Sequence, residues 1–359
     1  MFFIVEGSVR VHDGDVELAR LGPGEVFGEM AVLDSDVRSA SVTTILATRL
    51  ICLERDQLWQ VISQDTEALR AIIASVLQRE RAIVEDVSEQ TARVQAFEKE
   101  LEIGRRIQAD FLPETIPEVD GWEIASYFEA AREVAGDFFD VFELEPGGRL
   151  ALVIGDVCDK GVGAALFMTL FRSLIRASSL HGLLTGKAET QEETREQIPE
   201  LLRTSIEATN RYVATTHSKS SMFASVFFGV LDPRSGELDY INAGHESPVL
   251  FQPGEEPQIL ECTGGVVGLF PFARFATART CLRPGDLMFT YTDGINEAKN
   301  EAGEQFSDER ILSCGKSLGG DANDLLVQMI SRIKQFRGSA AQSDDITMLA
   351  VRRSRHPSE

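Results

Sequence analysis

The 359-residue chain lacks the features that would place it in several common classes. No run approaches the roughly 18 consecutive apolar residues that a membrane-spanning helix needs. The opening MFFIVEGSVRV has neither a basic n-region nor a small-residue cleavage site, so it does not read as a signal peptide. Basic residues are scarce. Lys and Arg number 35 against 57 Asp and Glu, a formal net charge of −22. That balance argues against nucleic acid as a main partner and against an anionic membrane surface, since both need clustered cations. Cysteines 52, 158, 262, 281 and 314 form no CxxC pair, and histidines 12, 181, 217, 245 and 356 form no HxxxH, so the spacing of a zinc site is missing. Scattered, odd-numbered cysteines fit a reducing compartment, and the cytoplasm is the expected location.

What remains is ordinary soluble composition, 43% hydrophobic and 26% charged, at a length that suggests two domains. Residues 1–54 read as a partial β-roll that begins inside a strand. Asp13-Gly14 between β-rich runs is a hairpin signal, LGPGEVFGEMAVL reads as a Gly-rich turn into a short helix, and SASVTTILATRLICLE is strand-like. Residues 55–112 read as a helical linker, because no Gly or Pro occurs from Asp56 to Ile103. Within it Val87, Gln90, Val94, Phe97, Leu101, Gly104, Gln108 and Phe111 follow a 3–4 spacing, which suits a short, imperfect coiled coil and a parallel homodimer. A single helix packed on its own domain is the alternative. Pro113 and Pro117 end the helix. Residues 113–359 interleave β-like and helical segments, with strands at both ends and a helix pair between, which predicts an α+β or sandwich domain. The polar stretch HGLLTGKAETQEETREQIPE reads as a surface loop.

Acidic residues recur at the ends of apolar strands in this last domain: Asp137 and Asp140 in VAGDFFDV, Asp156 in VIGDVCDKG, Asp293 in FTYTDG, Asp344 and Asp345 in QSDDITML. A single Asp beside Gly is ordinarily a turn residue. A set abutting several strands is a different pattern, because convergent carboxylates need a compensating cation. Oxygen donors without His or Cys select Mg²⁺ or Mn²⁺. Two other phosphate-handling chemistries fail on spacing. None of the five cysteines has an Arg six positions later, and GKS at 315–317 is no P-loop, since Arg310 stands where its first Gly belongs. His245 in NAGHESP is either a general acid or a structural histidine at a turn.

ELEIGRRIQADFLPETIPEVDGWEIASYFEAAREVAGDFFDVFEL, IGDVCDKGVGAALFM, MFASVFFGVLDPRSGELDYINAGHESPVL, LRPGDLMFTYTDGINEAKN and QSDDITMLAVRR, in this order over residues 100–353, resemble the SpoIIE/RsbU-type branch of the PPM metal-dependent serine/threonine phosphatases. The resemblance implies a β-sandwich flanked by helices, with two Mn²⁺ or Mg²⁺ ions at its edge and no protein nucleophile. It implies that Asp156 bridges both ions, that the Val157 carbonyl binds one, that Asp293 and Asp344 complete the site, and that Asp137 contributes from the first motif. Asp140 and Asp345 are further candidates. Cys158-Asp159 stands where that family usually has Ser-Gly, which bears on the tight turn there. The implied substrate is a phosphorylated STAS-domain anti-sigma-factor antagonist of bacterial partner switching, with segment 100–116 as a switch helix.

FGEMAVLDSDVRSASV, residues 27–42, makes the N-terminal segment resemble the C-terminal part of a cyclic nucleotide-binding domain, which implies a loop and short helix that cradle the cyclic phosphate. By that resemblance Glu29 takes the ribose hydroxyl, Gly28 and Ala31 offer backbone N–H groups, Arg38 pairs with the phosphate, and Ser39 and Ala40 line the phosphate and base side. A relic pocket that binds nothing, or another ligand, is the alternative. Two further readings of the whole chain are a catalytically inactive scaffold of the same fold and a transcription factor, the latter without any visible basic helix-turn-helix.

Overall fold

The computed structural model describes residues 1–29, 40–64, 66–145, 148–185, 191–316 and 320–355. The chain divides into two compact units, Met1–Ala96 and Phe97–Glu359.

In the smaller unit, β1 (Phe2–Glu6), β4 (Val26–Phe27) and β6 (Arg49–Cys52) form one three-stranded sheet. β2 (Val9–Asp13), β3 (Val16–Leu21) and β5 (Ser41–Thr44) form another. The hairpin expected at Asp13-Gly14 is present: Asp13 pairs with Val16, and Gly14 takes φ 54°, the left-handed region a tight turn demands. Ile4, Val9, Leu21 and Phe27 make a small core, with Phe2 stacked on Phe27 at 5.1 Å between ring centroids. The short helix expected after the Gly-rich turn falls on residues 30–39, outside the described residues. Helix α1 (Arg55–Gln64) follows, then α2 (Thr66–Ala109). The length of α2 fits the Gly- and Pro-free stretch, and its residues from Phe97 onward belong to the larger unit. Among the described residues no helix is long and apolar enough to cross a membrane.

The larger unit holds two five-stranded antiparallel sheets. One has the order β14-β11-β10-β9-β8, from Ala278–Cys281, Glu237–Ala243, Ala224–Leu231, Leu150–Val157 and Phe138–Glu143. The other has the order β13-β12-β15-β16-β7, from Gln258–Ile259, Val249–Phe251, Leu287–Tyr291, Ile346–Arg353 and Trp122–Glu129. Helices α3 (Val162–Thr185) and α4 (Gln191–Thr216) cover the first sheet, while α5 (Asp308–Lys316) and α6 (Ala322–Arg337) cover the second.

Period-2 side-chain alternation explains why four layers form. Along β9, Leu150, Leu152 and Ile154 face the other sheet, while Ala151 and Val153 face the helices. Along β16, Leu349 and Val351 face inward, while Met348 and Ala350 meet α5 and α6. Both faces of each sheet are therefore apolar, and the strands read as near-continuous hydrophobic runs. Each fully buried Leu or Phe of this kind contributes about 1.5–3 kcal/mol.

One expectation fails. The acidic stretch read as a surface loop over 181–200 is helical up to Thr185 and again from Gln191. Glu and Gln are good helix formers, and Ile198, Leu201, Leu202 and Ile206 bury one helix face on the core, so packing extends α4 backwards through Pro199. Residues 186–190 lie outside the described residues.

Candidate active site

Antiparallel pairing brings the sequence-distant acids to one end of the sandwich. β8 begins where β9 ends, with Phe138 opposite Gly155, so Asp137 and Asp156 sit at the same end of the first sheet. β15 ends where β16 begins, which places Asp293 beside Asp344 and Asp345 in the second. The two loops of the second sheet touch backbone to backbone. A Cβ added at Gly294 would lie 1.8 Å from the Asp345 carbonyl oxygen, so only glycine fits there.

Asp137 ties the sheets together. It is buried, and its Oδ2 accepts hydrogen bonds from Thr292 Oγ1 at 2.7 Å and Thr347 Oγ1 at 2.6 Å, both from the opposite sheet. Thr347 N donates to Thr292 Oγ1 at 3.0 Å and completes the brace. Burial, then the neighbouring Asp156 charge, push the Asp137 carboxyl well above the ordinary range, while the two hydroxyls hold it down. Asp156 is pushed up to about 7 by burial and then by Asp293 and Asp344. Asp293 is pushed up to about 6 by burial, then by Asp344, Glu297 and Glu246, with Lys160 opposing.

Asp345 works on the backbone. Its Oδ1 accepts from Ala131 N and its Oδ2 from Gly136 N, each at 2.8 Å, which anchors the loop leading into Asp137. The Val157 carbonyl faces this loop, 3.0 Å from where a Cβ on Gly136 would lie. Asp344 Oδ2 accepts from Lys160 Nζ at 2.6 Å. The turn that carries Lys160 forms without the usual glycine: Asp159 itself takes φ 72°, a conformation Asp tolerates, and its Oδ1 accepts from Lys160 N at 2.8 Å.

The structure separates Asp140 from this group, a correction to its reading as a metal ligand. Asp140 is buried on the helix side of the first sheet. Arg176 donates to both its oxygens, at 2.8 and 3.0 Å, and Arg172 lies 3.1 Å away. Its neighbour at Phe138 has the same facing, as period-2 alternation requires, and the carboxylate is neutralised by α3. Asp140 is a structural ion pair.

Sequence reasoning missed Thr292, Thr347, Lys160 and Ser225. The signal for the threonines was available, since each lies within three residues of a site Asp in TYTDG and DDITML. The signal for Ser225 was not: it stands opposite Asp156 only through the β9–β10 register. Ser225 Oγ bonds His245 Nδ1 at 2.8 Å, and burial pushes this histidine down to about 3, so it is neutral. Its structural reading therefore outweighs a general-acid role. Cys158 is equally unsuited to nucleophilic work, because burial and then the field of Asp156 raise its thiol.

Among the described residues no three His, Cys, Asp or Glu side chains close on one point as a finished ligand set. The carboxylates instead take protein donors: Asp137 two hydroxyls, Asp344 an ammonium, Asp345 two amides. Their chemistry nonetheless fits divalent cations. Asp137, Asp156, Asp293 and Asp344 share one field that is short of positive charge, and all offer hard oxygen donors.

In the smaller unit Gly28, Glu29 and Ala40 are described. Gly28 takes φ 70°, Glu29 is buried, and Ala40 lines a cavity of about 630 Å³ between the two small sheets, with Phe2, Val9, Phe27 and Thr44. Ala31, Arg38 and Ser39 lie outside the described residues.

A four-layer sandwich with acids gathered at one end defines a PP2C-type phosphatase fold. The RsbU and RsbW domains of Rv1364c from Mycobacterium tuberculosis superpose with a TM-score of 0.53 at 29% identity, covering 68% of this chain and 64% of that one. Residues 146–354 match the family described as Stage II sporulation protein E (SpoIIE), and the chain belongs to that family. Residues 1–65 match the cyclic nucleotide-binding domain. Protein IcfG of Synechocystis sp. is 40% identical over 268 residues, 71% of this chain and 42% of that protein. Phosphoserine phosphatase RsbP of Bacillus subtilis is 26% identical over 198 residues, 55% of this chain and 45% of that protein. The chain thus spans less than half the length of these two relatives.

Proposed function

We propose that this chain is a divalent-metal-dependent phosphatase acting on phosphoserine or phosphothreonine of a protein. The observation that carries the reading is the Asp156 carboxyl, pushed up to about 7 by burial and then by Asp293 and Asp344 from the opposite sheet. Such a group of carboxylates is costly to bury unless cations complete it. Two Mn²⁺ or Mg²⁺ ions, when bound, would supply Lewis acidity towards phosphoryl oxygens.

The chain's own residues divide the remaining work. Asp156, on the first sheet, and Asp293 and Asp344, on the second, would hold the ions between the sheets, with the Val157 carbonyl as a further oxygen. Asp137, fixed by Thr292 and Thr347, holds the sheets at the spacing that lets these groups meet. Asp345 fixes the loop before Asp137. A protein nucleophile is not required, in keeping with a raised Cys158 thiol and a neutral, buried His245.

The substrate we infer is a phosphorylated STAS-domain anti-sigma-factor antagonist. Support comes from family membership and from the likeness to a phosphoserine phosphatase and to the RsbU and RsbW domains of Rv1364c. A cyclic nucleotide is the inferred regulatory ligand of the smaller unit, on its match to that domain. Homodimerisation through α2 is supported by Val87, Val94 and Phe97, which are exposed at heptad spacing on one seam. Coupling between the end of α2 and the site has a physical route. Gln108, near the end of α2, is buried, donates to Ala135 O at 2.7 Å and accepts from Ala135 N at 2.9 Å, two residues before Asp137. Rotation or unwinding of that helix end would shift the first acid loop.

The test is turnover of a phosphorylated STAS protein by the full chain, with and without Mn²⁺ and cyclic AMP. Mn²⁺-dependent phosphate release that EDTA stops, and that Asp156→Asn abolishes, is the expected result. Release that survives both treatments would overturn the assignment.

A further inference from the structure

Among the described ion pairs, one cation reaches the site carboxylates: Lys160. Its Nζ donates to Asp344 Oδ2 at 2.6 Å and to the Ser343 carbonyl at 2.7 Å. The ammonium thus grips both the side chain and the backbone of the loop that brings Asp344 to the site. Asp293, across the same loop pair, also feels its charge. The contact is built in. Lys160 follows Asp159, whose left-handed backbone and amide-accepting carboxylate fix the turn, and it lies two residues before α3 begins. It stays accessible, with side-chain exposures of 39% for Lys160 and 30% for Asp344, so it can leave.

We propose that Lys160 is a tethered cation that competes with a divalent ion for Asp344 and so sets the metal concentration at which the site fills. The inference rests on the metal-site reading above and goes beyond it by assigning a residue to the threshold. A carboxylate oxygen bonded to an ammonium at 2.6 Å cannot offer the same lone pair to a metal, and an ammonium left nearby repels a dication. Filling the site therefore requires Lys160 to swing out towards solvent. Its flexible four-carbon stem and compact charge suit that movement better than the planar fork of arginine. The same ammonium offsets part of the mutual repulsion of the acids while the site is unfilled, so one residue stabilises the metal-free protein and opposes metal entry.

The two effects have opposite signs, and that separates competition from a merely structural ion pair. The experiment titrates the full chain with Mn²⁺ at pH 7.5, with free ion followed by electron paramagnetic resonance and heat by calorimetry. It compares wild type, Lys160→Met, Lys160→Arg and Asp156→Asn. Lys160→Met should bind its weaker Mn²⁺ about threefold to tenfold more tightly, the range set by losing one partly exposed ion pair and its repulsion. In EDTA the same variant should melt below wild type, and in saturating Mn²⁺ it should show the larger upward shift. Lys160→Arg should keep the wild-type affinity or weaken it. Mn²⁺ binding by Lys160→Met that is equal to wild type or weaker overturns the competition. Should wild type and Asp156→Asn bind Mn²⁺ alike, the metal site itself is wrong, an outcome distinct from failure of the lysine's role. Lys160→Gln provides the same comparison if the methionine variant does not fold.

Discussion

Asp156→Asn gives a test in which activity and stability should move in opposite directions. The asparagine nearly matches the aspartate in shape but carries no charge. In the folded protein the Asp156 carboxyl titrates at about 7, against an ordinary value near 3.8. Because the folded value is raised, the stability this group contributes is present below about pH 4 and is lost as pH rises towards 7. At roughly 1.4 kcal/mol per pH unit, the full loss is about 4 kcal/mol. Asp137, Asp293 and Asp344 share the same field, so relief at one position is distributed, and about 2–4 kcal/mol is the range to look for. In EDTA at pH 8, Asp156→Asn should therefore be more stable than wild type, by roughly 5–10 °C in melting temperature for a unit of this size. The difference should shrink towards zero near pH 4. Saturating Mn²⁺ should restore wild type through mass action and leave the variant unmoved. Calorimetry or near-ultraviolet dichroism across pH 4–8 reads all three. A variant no more stable than wild type at pH 8, or a difference flat across pH, would refute a charge-strained site.

Thr347→Val removes one of the two hydroxyls on Asp137 Oδ2 and should cost about 1–3 kcal/mol in denaturant unfolding, with Thr347→Ser close to wild type. Asp140→Ala should cost about 3–5 kcal/mol because it strands Arg172 and Arg176, whereas Asp140→Asn should leave Mn²⁺ stoichiometry unchanged; a lost ion would reinstate Asp140 as a ligand. His245→Gln tests the neutral histidine. A folded value near 3 against 6.5 unfolded means wild type loses stability as pH falls below 6.5, so the variant's relative stability should improve by up to about 1.4 kcal/mol per pH unit between 6 and 4. A parallel pH dependence in the two proteins would show that His245 protonates in place.

Legibility divided along a physical line. Local signals were readable. The Asp13-Gly14 hairpin, the Gly- and Pro-free helix and the apolar runs of β9, β10 and β16 depend on turn conformation, propensity and period-2 burial, all written in neighbouring residues. The acids at strand ends were readable for the same reason, as was the family resemblance they carry. The acidic segment before Ile198 misled because its polarity resembles a loop, while the burial that makes it helical comes from one face meeting a distant sheet. Asp140 misled because it lies three residues from Asp137, as close to the motif as a ligand could be, yet strand alternation turns it to the arginines of α3.

The sequence by itself determined which groups are present: four layers' worth of apolar strands and helices, oxygen donors without nitrogen or sulfur partners, and a chain with no spare positive charge. Only the tertiary structure decided which of those groups meet. Register set Ser225 opposite Asp156, the sandwich put Thr292 and Thr347 over Asp137, and a left-handed turn at Asp159 laid Lys160 on Asp344. Such contacts join residues from 69 to 210 positions apart, and their energies are set by burial and distance, neither of which a linear pattern contains.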